Sequence, residues 1–319
     1  MRWIRGHLIH IGFAKAGSTA LQAWFSAQPQ LVHASNGVGG VYTAEELASQ
    51  VSDAQSNGAV WVVTSSEYFV APAGSDEDPD DPADGGTLDA RRRGVCHRLQ
   101  ITFGDAMILI VTRGFRAMMA SGYSQTIREG ATWTIDELLS LASRLHELQP
   151  VHYYDYDAAV RLYADAFGEE NVIVLPYELL RDDPRAFIGR LEQRLGLQPS
   201  VHLPPWVNES LSGPELYWYP RLTRLLTSLA RRLGPLGPAI FAGYRRRIGS
   251  PRLGRLLNAL STMAPSRTVR PEREIPSEFA ELWRGRASSL AVNPDYEPYA
   301  SDYLNDRPAS AAIERRLES

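Results

Sequence analysis

The feature that most constrains the fold of this chain is a set of four short apolar runs separated by segments of helical periodicity. Runs of this length that are apolar on both faces are typical of parallel strands buried between layers of helices. We therefore predict an α/β fold with a parallel sheet flanked by helices. The predicted strands are His7–Ile11, Ala59–Thr64, Ala106–Thr112 and Asn171–Pro176, and the predicted helices include Ser18–Ala27, Tyr156–Phe167 and Arg185–Leu195, the last ended by Gly196.

The last third of the chain has a different pattern. From about Pro214 onward it is helical and interrupted by prolines, with no run typical of a strand. We predict an α/β core over residues 1–213 and an arginine-rich helical extension over residues 214–319. We expect the extension to pack on the core, within one structural unit, and to shape a substrate site there.

Neither an export signal nor a membrane span is evident in the sequence. No stretch approaches the roughly 20 uninterrupted apolar residues that cross a bilayer, and the first residues lack an apolar core and a cleavage site. The one cysteine, Cys96, excludes an internal disulfide and a cysteine-built metal site. These observations predict a cytoplasmic protein.

Lysine is nearly absent from this sequence. Of the 33 basic residues, 32 are arginines and one is a lysine, Lys15, in the turn between the first predicted strand and the first predicted helix. Backbone N–H groups, a helix dipole and an ammonium group meet there, which predicts a phosphate site. The spacing is not that of GxxxxGK[ST], because Lys15 precedes Gly17 by two residues and Ser18 and Thr19 follow it.

A second candidate phosphate ligand lies at the end of the third predicted strand. Arg113 leaves that strand, and Ser121 follows eight residues later on a predicted helix. A guanidinium at a strand end and a hydroxyl two helical turns later can converge on one phosphate, and arginine supplies a planar fork of donors.

Residues 14–21 resemble the PKxGTTxL-like 5′-phosphosulfate loop of sulfotransferases, and residues 113–123 resemble the RxPxxRxxSxY 3′-phosphate motif of the same family. Further resemblance to a bacterial, carbohydrate-sulfotransferase-like branch extends over roughly residues 7–210. The chain departs from the motifs at four positions. Ala14 and Phe115 stand where proline is usual, Ser18 stands where threonine is usual, and Met118 stands where arginine is usual.

The resemblance implies a P-loop-like fold and 3′-phosphoadenosine 5′-phosphosulfate (PAPS) as donor, with adenosine 3′,5′-bisphosphate as product and no metal required. It also implies that Arg113 and Ser121 bind the 3′-phosphate. The 5′-phosphosulfate is expected at the loop residues Lys15, Ala16, Gly17, Ser18, Thr19 and Ala20.

Transfer of a sulfuryl group to a hydroxyl needs a base opposite the leaving phosphate. Glu67, just past the second predicted strand, is our candidate because strand ends gather at one edge of the sheet and because carbohydrate sulfotransferases carry a glutamate there. A solvated or helix-capping carboxylate is the structural alternative. His152 and Tyr153 are candidates to face the acceptor, whereas His7 and His10 are predicted to be core groups.

The charge distribution is uneven. No Asp or Glu occurs from Leu216 to Pro271, where eleven arginines lie, whereas Ser75–Gly86 is acidic and predicted to be a solvated loop. The basic segment indicates an anionic partner, which the sequence leaves open between substrate, a membrane surface in peripheral contact and the acidic body of the protein itself. We expect a small-molecule, sugar or lipid acceptor and no nucleic acid.

Two other functions compete with sulfuryl transfer. A nucleotide kinase with a divergent P-loop needs a strand-end aspartate for Mg²⁺, and no predicted strand ends in one. A non-catalytic module would use the arginine-rich segment to bind anions or a membrane surface, with a degenerate nucleotide fold. No transition-metal spacing, GxSxG elbow or GxGxxG turn occurs. The accepting group is expected to be a hydroxyl, with an amine as the second choice, and the identity of the acceptor and the oligomeric state stay open.

Overall fold

The computed structural model describes only part of the chain, and its contacts divide the chain into two units. The first unit comprises Met1–Phe115, Gln149–Val207 and Leu282–Ser319, and the second comprises Arg116–Leu148 and Asn208–Glu281. The predicted boundary between residues 213 and 214 stays a prediction. The residues described are 5–34, 61–70, 88–138, 153–204, 211–232, 234, 237–263, 269, 281 and 283–304.

The first unit contains a five-stranded sheet in which every pair of neighbouring strands is parallel. The predicted α/β fold with a parallel sheet is confirmed. Strand β2 was not predicted, because it has only four residues and includes His33. In the order β2-β3-β1-β4-β5, the strands are β1 (Gly6–Gly12), β2 (Leu31–Ala34), β3 (Trp61–Ser66), β4 (Met107–Thr112) and β5 (Val172–Pro176).

The helices of the first unit are close to those predicted. Asp155 and Asp183 accept backbone N–H groups at two of their N-termini, at 2.9 Å in both cases. Gly196 ends the last of them in the left-handed conformation, as predicted. The helices are α1 (Ser18–Ala27), α2 (Leu88–Thr102), α4 (Tyr156–Phe167), α5 (Tyr177–Asp182) and α6 (Pro184–Leu195), and 3-10 segments cover Glu67–Phe69, Glu169–Asn171, Ser288–Val292 and Pro294–Tyr303.

Helices cover both faces of the sheet, as the alternation of side chains on β1 demonstrates. The ring of His10 contacts Phe25 of α1 at a centroid distance of 5.8 Å. The ring of His7, which points to the opposite face, contacts Phe103 beyond the end of α2 at 4.2 Å. Helices α2 and α4 pack together, with Cys96 Sγ 3.7 Å from the carbonyl of Leu162.

The described part of the second unit is helical. Its helix α3 (Phe115–Arg128) begins with the last residue of the first unit, and α7 (Gly213–Arg232), α8 (Gly237–Arg245) and α9 (Pro251–Met263) follow. Helices α7 and α9 pack together through a hydrogen bond of 3.0 Å from Trp218 Nε1 to Ser261 Oγ. No helix among the described residues has the length and apolar character needed to cross a membrane. The predicted acidic loop, Ser75–Gly86, lies outside the described residues.

Candidate active site

The loop between β1 and α1 has a strained backbone. Lys15 has a φ of 66° and Gly17 a φ of 83°, so both lie in the left-handed region. This conformation costs a residue with a Cβ roughly 1–2 kcal/mol, whereas glycine adopts it freely. The N–H of Ala16 donates to the carbonyl of Phe13 at 3.1 Å and closes the turn. The one lysine of the chain is thus held in a conformation that is enriched at ligand sites.

Gly17 is needed for space as well as for its φ. A Cβ on this residue would lie 2.9 Å from Tyr177 Cδ2 and 3.0 Å from Leu180 Cδ2. Helix α5 therefore packs directly on the loop. A larger residue at position 17 would displace either the loop or α5.

The N-terminus of α1 presents hydrogen-bond donors to this loop. Gly17 is its N-cap, and glycine has no side chain that could cap this end. The first N–H groups of a helix lack intrahelical partners and carry partial positive charge. Ser18 Oγ beside them is buried and has no hydrogen-bond partner in the described part of the chain. Such a group costs roughly 1–3 kcal/mol, which a ligand that bonds to it would recover.

Glu67 and Ser18 meet beside Gly12, at the end of β1. A Cβ on Gly12 would lie 2.6 Å from Ser18 Oγ and 3.4 Å from Glu67 Cγ. Glu67 opens the 3-10 turn after β3 and is exposed. Because β1 and β3 are neighbouring parallel strands, their carboxyl ends reach the same edge of the sheet. The structure therefore brings the candidate base and the predicted phosphate loop together.

Arg113 supports the same loop. Its Nη1 donates to the carbonyl of Lys15 at 2.6 Å, and its guanidinium lies over the ring of Tyr177 at 4.5 Å from the centroid. The hydroxyl of Tyr156 donates to the Arg113 carbonyl at 2.6 Å and fixes the backbone. Arg113 Nε is buried and has no hydrogen-bond partner among the described residues. The guanidinium therefore braces the lysine turn and retains a buried donor.

Tyr153 lies against the lysine loop, next to Glu67. Burial raises the pKa of its phenol; the N–H of Ala14 donates to the phenol and lowers that pKa, and the Glu67 carboxylate raises it. Arg92 holds the backbone of Tyr153 by donating to its carbonyl. Of the two residues predicted to face the acceptor, Tyr153 is thus beside the site, and His152 lies outside the described residues.

Glu178 is a buried carboxyl group for which the sequence analysis predicted no function. Its Oε1 accepts the N–H of Gly114 at 3.0 Å, and its Oε2 accepts the hydroxyl of Tyr303 at 2.9 Å. Burial raises the pKa of Glu178, while these hydrogen bonds and the charge of Arg113 lower it. Glu178 therefore anchors the backbone that follows Arg113. Its position two residues after the end of a predicted strand was the one signal in the sequence.

Hydroxyl groups from the end of the described chain complete this support. Thr112 Oγ1 lies 2.7 Å from the hydroxyl of Tyr296 and 3.0 Å from that of Tyr303. Both tyrosines belong to the 3-10 segment Pro294–Tyr303 and are buried. Thr112, the last residue of β4 and the neighbour of Arg113, is thus bonded to residues that come much later in the sequence.

Beneath α1, a second polar group faces the sheet. His10 Nδ1 lies 2.7 Å from Ser65 Oγ, to which Gln22 Nε2 also donates at 3.1 Å. Burial, together with the charge of His33, lowers the pKa of His10 to about 3. Burial lowers the pKa of His7 to about 4. The prediction that these two histidines are core groups is confirmed.

The remaining predicted site residues are not all brought to the loop. Thr19 is exposed on the first turn of α1, and the N–H of Ala20 donates to the carbonyl of Gly17 at 3.0 Å. Ser121 is buried on α3 and belongs to the second unit, whereas Arg113 belongs to the first. That Ser121 shares a phosphate with Arg113 stays a prediction. Within the described ranges, no cluster of three or more His, Cys, Asp or Glu could hold a metal ion.

Of three comparisons with known proteins, the one with solved structures gave matches. No family model matches the chain. No curated protein matches it either. Among solved structures, it is similar to a sulfotransferase from Alicyclobacillus acidocaldarius, with 20% sequence identity and a TM-score of 0.47, over 73% of this chain and 95% of that one.

Proposed function

We propose that the chain is a sulfotransferase that transfers the sulfuryl group of PAPS to a hydroxyl group of an acceptor. The observation that carries the proposal is the meeting of three groups beside Gly12: the lysine turn, the buried Ser18 hydroxyl and the Glu67 carboxylate. An anion-binding loop and a base at one strand edge are what transfer from a phosphosulfate requires.

The residues present fit the 5′ end of such a donor. Ser18 Oγ is a buried group without a partner in the described part of the chain, and the start of α1, whose N-cap is a glycine, offers N–H groups beside it. The packing of Gly17 against Tyr177 and Leu180 leaves the backbone as the binding surface. Phosphate oxygens accept several hydrogen bonds at once, and helix N-termini favour negative charge. When bound, the donor supplies an activated sulfuryl group.

Lys15 and Glu67 have different functions in this proposal. The Lys15 ammonium neutralises negative charge that grows on the bridging oxygen as the bond to sulfur breaks, so it stabilises the transition state more than the ground state. The Glu67 carboxylate accepts the proton of the acceptor hydroxyl as that oxygen bonds to sulfur. Because Glu67 is exposed, an acceptor can reach it from solvent.

Arg113 has two functions in the proposal. Its hydrogen bond to the Lys15 carbonyl holds the backbone of Lys15 in the left-handed conformation. Its buried Nε is a further donor that a phosphate can use, and Ser121 is its predicted partner at the 3′-phosphate.

The acceptor is proposed to be a sugar, a lipid or another small molecule with a hydroxyl group. Tyr153 is the described residue that was predicted to face the acceptor, and its phenol interacts electrostatically with the Glu67 carboxylate. An aromatic face beside a carboxylate suits the apolar face and the hydroxyl of a sugar or phenol equally.

Calorimetric titration with adenosine 3′,5′-bisphosphate tests the nucleotide half of the proposal. We expect binding that persists in EDTA and that is lost in Lys15→Ala and retained in Arg161→Ala, which removes an exposed arginine of α4. Binding of ATP that requires Mg²⁺, with no binding of the bisphosphate, would establish the kinase alternative instead.

An acceptor screen tests the transfer half. The protein is incubated with PAPS and a panel of sugars, lipids and phenols, and the products are examined by mass spectrometry for the addition of one sulfate. Glu67→Gln should bind the bisphosphate as the wild type does and yield less product. If the bisphosphate binds and no hydroxyl compound of any class is sulfated, the transfer half of the proposal is wrong.

A further inference from the structure

Two helices of the second unit carry nearly the same nine-residue sequence. Residues 221–229 of α7 read RLTRLLTSL, and residues 252–260 of α9 read RLGRLLNAL. The two stretches are identical at six of the nine positions, all of them arginine or leucine. On a helix, the first and fourth positions of this pattern lie next to the fifth and ninth. The pattern therefore places two arginines and two leucines on one side of each helix.

Equivalent leucines are exposed to the same extent in both helices. Leu225 and Leu229 of α7 are 55% and 42% exposed, and Leu256 and Leu260 of α9 are 55% and 41% exposed. The opposite sides of the helices are buried, at Thr223 in α7 and at Leu257 in α9. The agreement means that the two stretches are oriented alike with respect to the interior of the unit. The same arginine and leucine face is presented twice.

The arginines of these faces are exposed, and among the residues that the structure describes Glu137 is the one carboxylate paired with them. Arg221 lies over the ring of Tyr217 at 3.6 Å, and Arg255 donates to the carbonyl of Pro251 at 3.3 Å, contacts that neutralise no charge. Arg224 forms an ion pair of 2.9 Å with Glu137. Because the sequence has no acidic residue from 216 to 271, neither helix can balance its own arginines along this stretch.

We propose that these two faces dock the protein on an anionic lipid surface, with α7 and α9 each lying in the plane of the interface. Exposed leucines beside arginines, on helices too polar to span a bilayer, suit insertion to the depth of the headgroups. The arginines meet lipid phosphates, and the leucines enter the apolar layer below them. This proposal is independent of the proposed sulfuryl transfer.

Two other occupants fit the faces less well. A second copy of the chain would bring arginines against arginines if the same face were used on both sides, and like charges repel. A nucleic acid would satisfy the arginines, but it would leave four half-exposed leucines against a charged backbone. Only the lipid surface supplies both negative charge and an apolar layer.

Flotation with vesicles tests the proposal with the full chain. We expect binding to vesicles of phosphatidylcholine and phosphatidylglycerol, and little binding to phosphatidylcholine alone. Leu225→Gln combined with Leu256→Gln should lower the partition coefficient by about 10-fold or more, because apolar area no longer enters the bilayer. Arg221→Gln combined with Arg252→Gln should lower it by about 30-fold and weaken its salt dependence. The matched control is Leu203→Gln, a residue of the first unit that is 44% exposed.

The outcomes separate the proposal from its alternatives. Every variant should bind adenosine 3′,5′-bisphosphate as the wild type does and keep its thermal midpoint, since the substituted side chains are exposed. Equal binding of the leucine pair and the control to anionic vesicles would overturn the assignment of this face. Tight binding to duplex DNA without binding to vesicles would show that the partner is a nucleic acid and not a lipid surface. A dimer that dissociates when Leu225 and Leu256 are replaced would show that the partner is a second copy of the chain.

Discussion

Arg113 Nη1 donates to the carbonyl of Lys15 at 2.6 Å, which links the end of β4 to the left-handed turn after β1. The two residues lie just beyond the carboxyl ends of β1 and β4, which are neighbouring parallel strands. The Arg113 guanidinium can support the loop, and it can also bind a 3′-phosphate. Replacing Arg113 gives different results in the two cases, so the two functions can be separated by experiment.

Arg113→Ala should weaken the binding of adenosine 3′,5′-bisphosphate by a factor between about 10 and 150, the usual cost of a charge-assisted hydrogen bond. The decisive comparison is with adenosine 5′-phosphate, measured by the same calorimetric titration. If Arg113 acts through the loop alone, both nucleotides lose the same factor. If it also contacts the 3′-phosphate, the bisphosphate loses more, and Ser121→Ala should reproduce that excess.

Lys15→Gly should separate stability from activity. Glycine relieves the roughly 1–2 kcal/mol cost of the left-handed φ and loses about 0.5–1 kcal/mol through chain entropy, so the free energy of unfolding should be unchanged or higher by up to about 1.5 kcal/mol. Sulfate transfer should fall by at least about 10²–10³-fold, because a preorganised charge is removed. Lys15→Arg should also be nearly inactive, since its planar fork does not fit the same turn. Normal turnover in either variant contradicts the proposed function of the ammonium.

Ser18→Ala should leave stability unchanged or raise it, although the residue is buried, because the hydroxyl it removes has no partner in the described part of the chain. Binding of the bisphosphate should weaken by about 10-fold. The matched control is Ser65→Ala, which removes a hydroxyl bonded to His10 and Gln22 and should cost about 1–2 kcal/mol in urea unfolding. Loss of stability without loss of affinity in Ser18→Ala would show that the hydroxyl is not a ligand.

Glu67→Gln should keep nucleotide affinity and lower the rate at saturating acceptor by roughly 10²–10⁴-fold, the usual contribution of a positioned base. The amide preserves the shape of the side chain but cannot take the proton. With an acidic phenol as acceptor the loss should shrink, because that hydroxyl ionises with less help. A full rate with an aliphatic alcohol would assign the base to another residue, and His152→Gln would be the next variant to measure.

Stability should fall as the solution is made acidic. The folded-state pKa values of His10 and His7 are lowered to about 3 and about 4, so between these values and 6.5 the unfolded chain binds more protons. The contribution of the two histidines is complete above about pH 6.5 and is lost as pH falls, at up to about 1.4 kcal/mol per pH unit for each. Urea unfolding from pH 7 to pH 4 measures this slope. His7→Gln should reduce it, whereas His97→Gln, which removes an exposed imidazole of α2, should not.

The local parts of the site were predictable from sequence. A strand, a glycine turn and a helix in succession place Lys15 and Ser18 at one point whatever the rest of the chain does, and the end of the next apolar run places Glu67 at the same edge. These predictions needed only the rule that parallel strands share an edge. The short strand β2 escaped them because four residues carry too little periodicity to identify.

The supporting contacts could not be predicted in the same way. That Arg113 bonds to the Lys15 carbonyl depends on the order of the strands, which places β4 beside β1. That Glu178 accepts from Tyr303 depends on the return of the chain to the sheet after the second unit. No pattern within a window of sequence contains either partner, so the geometry of the fold was needed to find them.

The bonds from Tyr296 and Tyr303 to Thr112 have a consequence for the way the chain is made. A ribosome delivers β1, the lysine turn and β4 long before it delivers residues 294–303. Until those residues emerge, Thr112 and Glu178 lack partners that they have in the finished protein. The nascent chain can therefore form its sheet early, but the edge that carries Arg113 acquires its full set of bonds only after residues 294–303 have left the ribosome.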